Sequence, residues 1–315
     1  MSTPPRPSLV PHWLALAEEL VGRAAPRLDA LNLFPVPDAD TGTNMLATLT
    51  AARTAADACP AQDDAGAVLA HAGAAALDSA RGNSGMLLAV SLAGMAEPLR
   101  GRERVDAFAL AAAFGAADRA ARQALSDPRE GTILTVLSAA ARSLARSSTQ
   151  APDTPAVAGD ADPAVRLGPA VTLMLADCVQ AVEETESLLA PLTRAHVVDA
   201  GAVGLLWVFE ALRSVVTGTP VDEELATALP GYVEGAHAAE GEPAAAAEAP
   251  AEGAVEVMGT LALTPLAAAE LRRRLTDVGD AVILAPVGTA RDAQGRVPWR
   301  VHVHVPRAED AIGPL

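Results

Sequence analysis

The chain has 315 residues, half of them apolar and only 3 % aromatic, with 39 acidic against 23 basic residues for a formal charge of −16. At roughly 100–200 residues per domain this length suggests about two domains with an aliphatic, alanine-rich core. All 23 basic residues are arginine, so lysine-based phosphate clamps, Schiff-base chemistry and lysine general bases are excluded, and the acidic balance argues against nucleic-acid or anionic-membrane partners.

In chain order, a first helix starts near residue 8 and carries Leu14, Leu16, Leu20, Val21, Leu28 and Leu31 on its apolar side. A Pro- and Asp-rich turn follows, then a helix from Met45 to Ala58 entered through Thr41–Asn44. Further helical runs are predicted at about 64–80, 84–97, 104–125, 131–146, 165–188 and 200–216, separated by Pro, Gly and Asp clusters. That pattern predicts one all-α domain of eight helices over residues 8–217, with an exposed Pro/Asp/Ser-rich loop at 147–164. Residues 218–254 read as a linker, acidic and low in complexity from about 234 onward. Residues 255–315 predict a small α+β unit: a weak alternation at Val255–Leu263, a helix at Leu266–Val278, an apolar run at Ala281–Val287 and strict alternation in Trp299–Val305.

Cys59 and Cys178 cannot make a disulfide framework, the first residues lack a signal-peptide pattern, and the longest apolar stretch, Ala200–Val208, ends at Glu210 and Arg213. A cytoplasmic protein without membrane insertion is expected.

The chemistry-bearing segment is LNLFPVPDADTGTNM at 31–45. Asp38 and Asp40 lie two apart in a turn before a helix, and two carboxylates held close favour a hard divalent cation such as Mg²⁺. Thr41, Gly42, Thr43 and Asn44 open that helix, whose free amides and dipole favour an anion. The alternative is that the aspartates are turn formers and N-caps. Three further small-residue helix entries follow: ARGNSGM with Asn83 and Ser84, PREGTIL with Thr132 and Ile133, and VVDAGAVGLL with Asp199, Ala200 and Gly201. Each alone reads as ordinary capping, but a bundle gathers alternate helix ends at one rim.

These segments, in this order, resemble the ATP-binding domain of the bacterial fatty-acid kinase subunit, which is similar to the L-subunit of dihydroxyacetone kinase. The resemblance covers about residues 8–217 and implies an eight-helix barrel binding ATP (or ADP) with two Mg²⁺ ions at one end. It implies Asp38 and Asp40 as metal ligands and catalytic groups, with Asn32 near a third ligand position. Thr41, Gly42, Thr43, Asn44, Asn83 and Ser84 would hold phosphates, while Thr132, Ile133, Asp199, Ala200 and Gly201 would line the rest of the nucleotide site. The reaction implied is in-line phosphoryl transfer to a fatty acid presented by a separate carrier protein, with a homodimer as a further option. Dihydroxyacetone-kinase-type transfer, a nucleotide-binding regulatory module and a metal-dependent phosphohydrolase are the alternatives.

The sequence departs from that family in several places. Ala39 stands where Asp-Gly-Asp is usual, tolerable unless the position needs positive φ, which would cost about 1 kcal/mol. Arg194 precedes the last motif, where relatives carry an arginine. The tail resembles the start of the family's middle domain, where His302 and His304 would join a cysteine on zinc; Met258 falls at that cysteine position. Zinc is therefore not expected, and the pair reads as half-exposed on an edge strand. The family's large C-terminal domain is expected to be absent.

Overall fold

A computed structural model describes residues 8–149, 164–232, 255–288 and 290–313. The helical part comprises α1 (Leu9–Leu31), α2 (Thr41–Ala58), α3 (Ala65–Ser79), α4 (Gly82–Gly94), α5 (Ala107–Ala124), α6 (Ile133–Thr149), α7 (Ala164–Leu188), a short α8 (Ala190–Ala195) and α9 (Ala200–Thr217), with a 3₁₀ turn at Glu97–Leu99. Leaving α8 aside, each helix packs on the next and α9 closes onto α1, so the eight helices that the periodicity predicts form the closed ring that the resemblance implies. Alpha-helix 2 begins at Thr41, so the Thr-Gly-Thr-Asn segment is its first turn rather than an approach to it.

Why the ring closes so tightly follows from its composition. With few aromatics, packing rests on Leu, Val and Ala, and glycine lets backbones approach: a Cβ on Gly73 of α3 would sit 2.6 Å from the Ala93 Cα of α4. Asp64 and Asp106 cap α3 and α5 by accepting from Ala67 N and Ala109 N. Alpha-helix 9 is long and apolar enough to cross a membrane by composition, yet 72 % of it is buried as the core helix of the ring. Residues 218–232, read from the sequence as the start of the linker, pack instead on this core. Ala226, Leu229 and Tyr232 are buried, and the Tyr232 hydroxyl accepts from Trp207 Nε1. Most of the predicted 147–164 loop and the acidic 234–254 segment lie outside the described residues.

The α+β unit is an antiparallel sheet of β1 (Val255–Leu263), β2 (Asp280–Pro286) and β3 (Val297–Val305), with α10 (Pro265–Val278) against it and a terminal turn of helix, α11 (Ala308–Ile312). The strand order is β1-β3-β2. Strand β3 is therefore central, which corrects the edge-strand reading of its histidines. Alternation explains their fate: Val301, Val303 and Val305 point into the unit's own core with Leu271 and Leu275, so His302 and His304 face the other way, toward the helical ring. Strand β2 is buried on both faces, giving Val282 and Leu284 to its own core and Ile283 and Ala285 to the core of the ring. A β-bridge between Leu125 and Ile283 and a bond from Ser126 N to Val282 O (3.1 Å) fasten the two parts.

Candidate functional site

At one rim of the ring the four predicted helix entries converge. Asp40 stands at the N-cap of α2, but its side chain makes no capping bond. The cap comes from Asp29 on α1, whose carboxylate accepts from Gly42 N (2.6 Å), Thr43 N (3.1 Å) and Thr43 Oγ1 (2.7 Å). The positive end of the helix is thus already satisfied by an internal anion, and Gly42 and Thr43 face neither cavity of the site. The same cap leaves Asp40 free to face Asp38 and Asn44. Asp38 Oδ1 accepts from Asn32 Nδ2 at 2.5 Å, so Asn32 positions that carboxylate. Between the aspartates, Ala39 adopts φ 55°, the left-handed conformation.

Glycines bring the other entries in. Gly82, at φ +59°, lies so close to α2 that a Cβ there would fall 2.5 Å from Asn44 Nδ2. A Cβ on Gly201 would fall 2.9 Å from Ser84 Oγ and 3.6 Å from Ile133, so the α4, α6 and α9 entries meet at this point. Asp199 caps α9 through Ala202 N (2.8 Å), and Ala200 is buried beneath it. Thr132 Oγ1 donates to Arg129 O, shaping the α6 entry.

Two joined cavities result. The smaller, about 20 Å³, is lined by Asn32, Asp38, Asp40, Thr41, Asn44, Asn83 and His304 among others; it has room for one water or small cation. The larger, about 490 Å³, continues past Ser84 along Leu87, Thr132, Ile133 and Asp199, a size typical of ligand pockets. Asn83 Oδ1 is buried with no partner among the described residues. Burial and the neighbouring Asp38 push Asp40 up to about 6, and burial pushes Asp199 up to about 7. Oxygen donors, mutual carboxylate repulsion and an orphaned amide oxygen all fit a hard cation such as Mg²⁺.

A second cluster sits across the seam. Ligand atoms of Glu256, His302 and His304 lie within 4.8 Å of one another. His302 is fully buried, its Nδ1 pairs with Glu256 Oε1 at 3.1 Å, and its Nε2 lacks a hydrogen-bond partner among the described residues. The imidazole contact holds the Glu256 carboxyl down to about 2, while burial and His302 hold His304 low. Glu256 also accepts from Gly82 N at 3.0 Å, tying this cluster to the α4 entry. Met258, opposite His302 in the sheet, cannot supply a thiolate, but Glu256 supplies the missing third donor. Two imidazoles and a carboxylate with ligand atoms this close together are a donor set that fits a divalent transition metal.

The family model for the DAK2 domain matches residues 35–214, the part of the ring from α2 to α9 that carries the four helix entries. The chain belongs to the DAK2 domain family. Protein YloV of Bacillus subtilis (strain 168) is 33 % identical over 211 residues, 67 % of this chain and 35 % of that protein. An uncharacterized protein of Staphylococcus haemolyticus (strain JCSC1435) is 32 % identical over 195 residues, 62 % of this chain and 33 % of its own length. The chain thus matches about a third of the length of these relatives. Membership makes this DAK2 domain a kinase-related nucleotide-binding module.

Arg194 of this DAK2 domain is exposed on α8 and faces neither cavity. Reading the sequence missed Asp29, because a cap supplied by the previous helix leaves no local signal. It missed Glu256 too, although that residue lies two before Met258 and so on the same strand face.

Proposed function

We propose that the chain is an ATP- and Mg²⁺-dependent phosphotransferase subunit that phosphorylates a fatty acid presented by a separate carrier protein. The observation that supports this most is the joining of an ion-sized carboxylate chamber to a nucleotide-sized cleft, at a rim built from four helix entries. Asp38 and Asp40 would hold Mg²⁺, which when bound neutralises phosphate charge.

The chain's own residues do the rest by positioning. Asn32 fixes Asp38, and Asn44 hydrogen-bonds Asp40 and favours its ionised form. Thr41 lines the chamber, Asn83 and Ser84 line both chamber and cleft, and their hydroxyls and amide would bind phosphate oxygens. Aliphatic walls from Leu87 and Ile133 exclude water from the nucleotide. In a chain without lysine, metal and neutral donors take the place of a cationic clamp.

The test is acyl-phosphate formation from ATP and a fatty-acid-loaded carrier, beside calorimetry of ATP with and without Mg²⁺. Asp38→Asn and Asp40→Asn are each expected to lower turnover by about a hundredfold or more, with no loss of melting temperature. Undiminished turnover in either variant, or Mg²⁺-independent ATP binding in the wild type, would overturn the reading.

A further inference from the structure

We propose that the α+β unit forms the second wall of the nucleotide cleft, so that the nucleoside half of the nucleotide lies between the helical ring and the turn joining α10 to β2. This rests on the reading of the rim as a Mg²⁺–nucleotide site and names what that rim alone leaves open. The large cavity is not a pocket in the ring. One side is Ser84, Leu87, Leu125, Thr132, Ile133 and Asp199; the other is Thr276, Asp280, Ala281, Val282 and the end of β3 from His304 to Pro306.

Polarity runs along the cleft as a nucleotide needs. Its inner end shares Asn83, Ser84 and His304 with the carboxylate chamber, where phosphates and metal belong. Its lining includes the aliphatic side chains of Leu87, Leu125 and Ile133, surfaces suited to the faces of a purine. At the outer lip Asp280 is exposed, placed to accept from ribose hydroxyls.

The wall is built rather than incidental. Gly279 is pressed on β3, where a Cβ would lie 2.4 Å from His304 O, and Ala281 takes φ 53°. Those constraints turn the chain so that Val282 O meets Ser126 N, while Arg272 Nη1 donates to Gln123 O at 2.6 Å and Glu256 accepts from Gly82 N. The fastenings fall on both sides of the cleft, and a left-handed alanine sits at its lip.

The full chain is titrated by calorimetry with Mg²⁺–ADP and with Mg²⁺–tripolyphosphate, which reports the phosphate end alone. Thr276→Trp, an exposed helical position at the lip, is expected to weaken ADP about tenfold or more while leaving tripolyphosphate within about twofold. Leu266→Trp, on the same helix and 82 % exposed outside the cleft, changes neither. In the wild type, hydrogen exchange at 279–283 and 304–306 should slow on adding Mg²⁺–ADP and not on adding Mg²⁺–tripolyphosphate. Equal ADP affinity in Thr276→Trp, or ADP protection confined to the helical rim, overturns the second wall while leaving the nucleotide site standing. A wild type that binds neither probe overturns the nucleotide reading, and this one with it.

Discussion

At Ala39 a single methyl group sits in left-handed backbone between the two site aspartates. That conformation costs an L-residue about 1–2 kcal/mol, part of which a glycine returns through its freer unfolded chain. Ala39→Gly is therefore expected to raise unfolding free energy by about 0.5–1 kcal/mol in urea denaturation; a loss of stability would show that the strain is relieved elsewhere. Asp40 and Asp199 carry the pH dependence. Both have folded-state pKa values raised well above 3.8, to about 6 and about 7. Between the unfolded and folded values the folded state binds more protons, so stability falls as pH rises from about 4 to about 7 and levels off above. Asp199→Asn keeps a cap acceptor for Ala202 N and removes the buried charge. It should gain stability over wild type at pH 8 and gain little at pH 4, measured by urea denaturation; equal gains at both would reject the buried-charge account.

Among the elements, α2 shows how a helix start is committed to structure or to ligand. Its first amides resemble an anion site in the sequence, but Asp29 of α1 occupies them, and the Asp40 side chain makes no capping bond. Asp29→Ala is expected to cost about 1–2 kcal/mol, the range for a lost N-cap. Mg²⁺-dependent nucleotide affinity should weaken as well, because the aspartate turn loses its anchor; denaturation with calorimetry on the same variant checks both. The helix entries were legible because caps, glycines and apolar periodicity are local properties. The occupancy of the α2 amides was not, because the capping group lies thirteen residues upstream of Gly42 on another helix.

Over the whole molecule, the ring covers a polar face that the sheet presents, and the two bond each other across it. His302 and His304 look like a polar face of a short strand until the helical ring covers that face. With Glu256 they make a donor set for a divalent transition metal, and Glu256 also holds Gly82 N. Zinc added to chelator-treated protein should raise the melting temperature with one ion bound in the full chain, and His302→Ala should abolish both effects. Unchanged zinc binding in His302→Ala would remove the cluster from consideration.

The sequence by itself determined the succession of helices, the small α+β unit and the aspartate pair, because periodicity, capping and turn composition act over a few residues. It also determined that any phosphate chemistry here proceeds without lysine. Only the tertiary structure decided which helix start stays open, which strand is central, and that the sheet roofs the rim. Those outcomes depend on burial and hydrogen bonds between residues far apart in the chain, from Asp29 with Gly42 to Gly82 with Glu256, and their energies exist only once the elements pack.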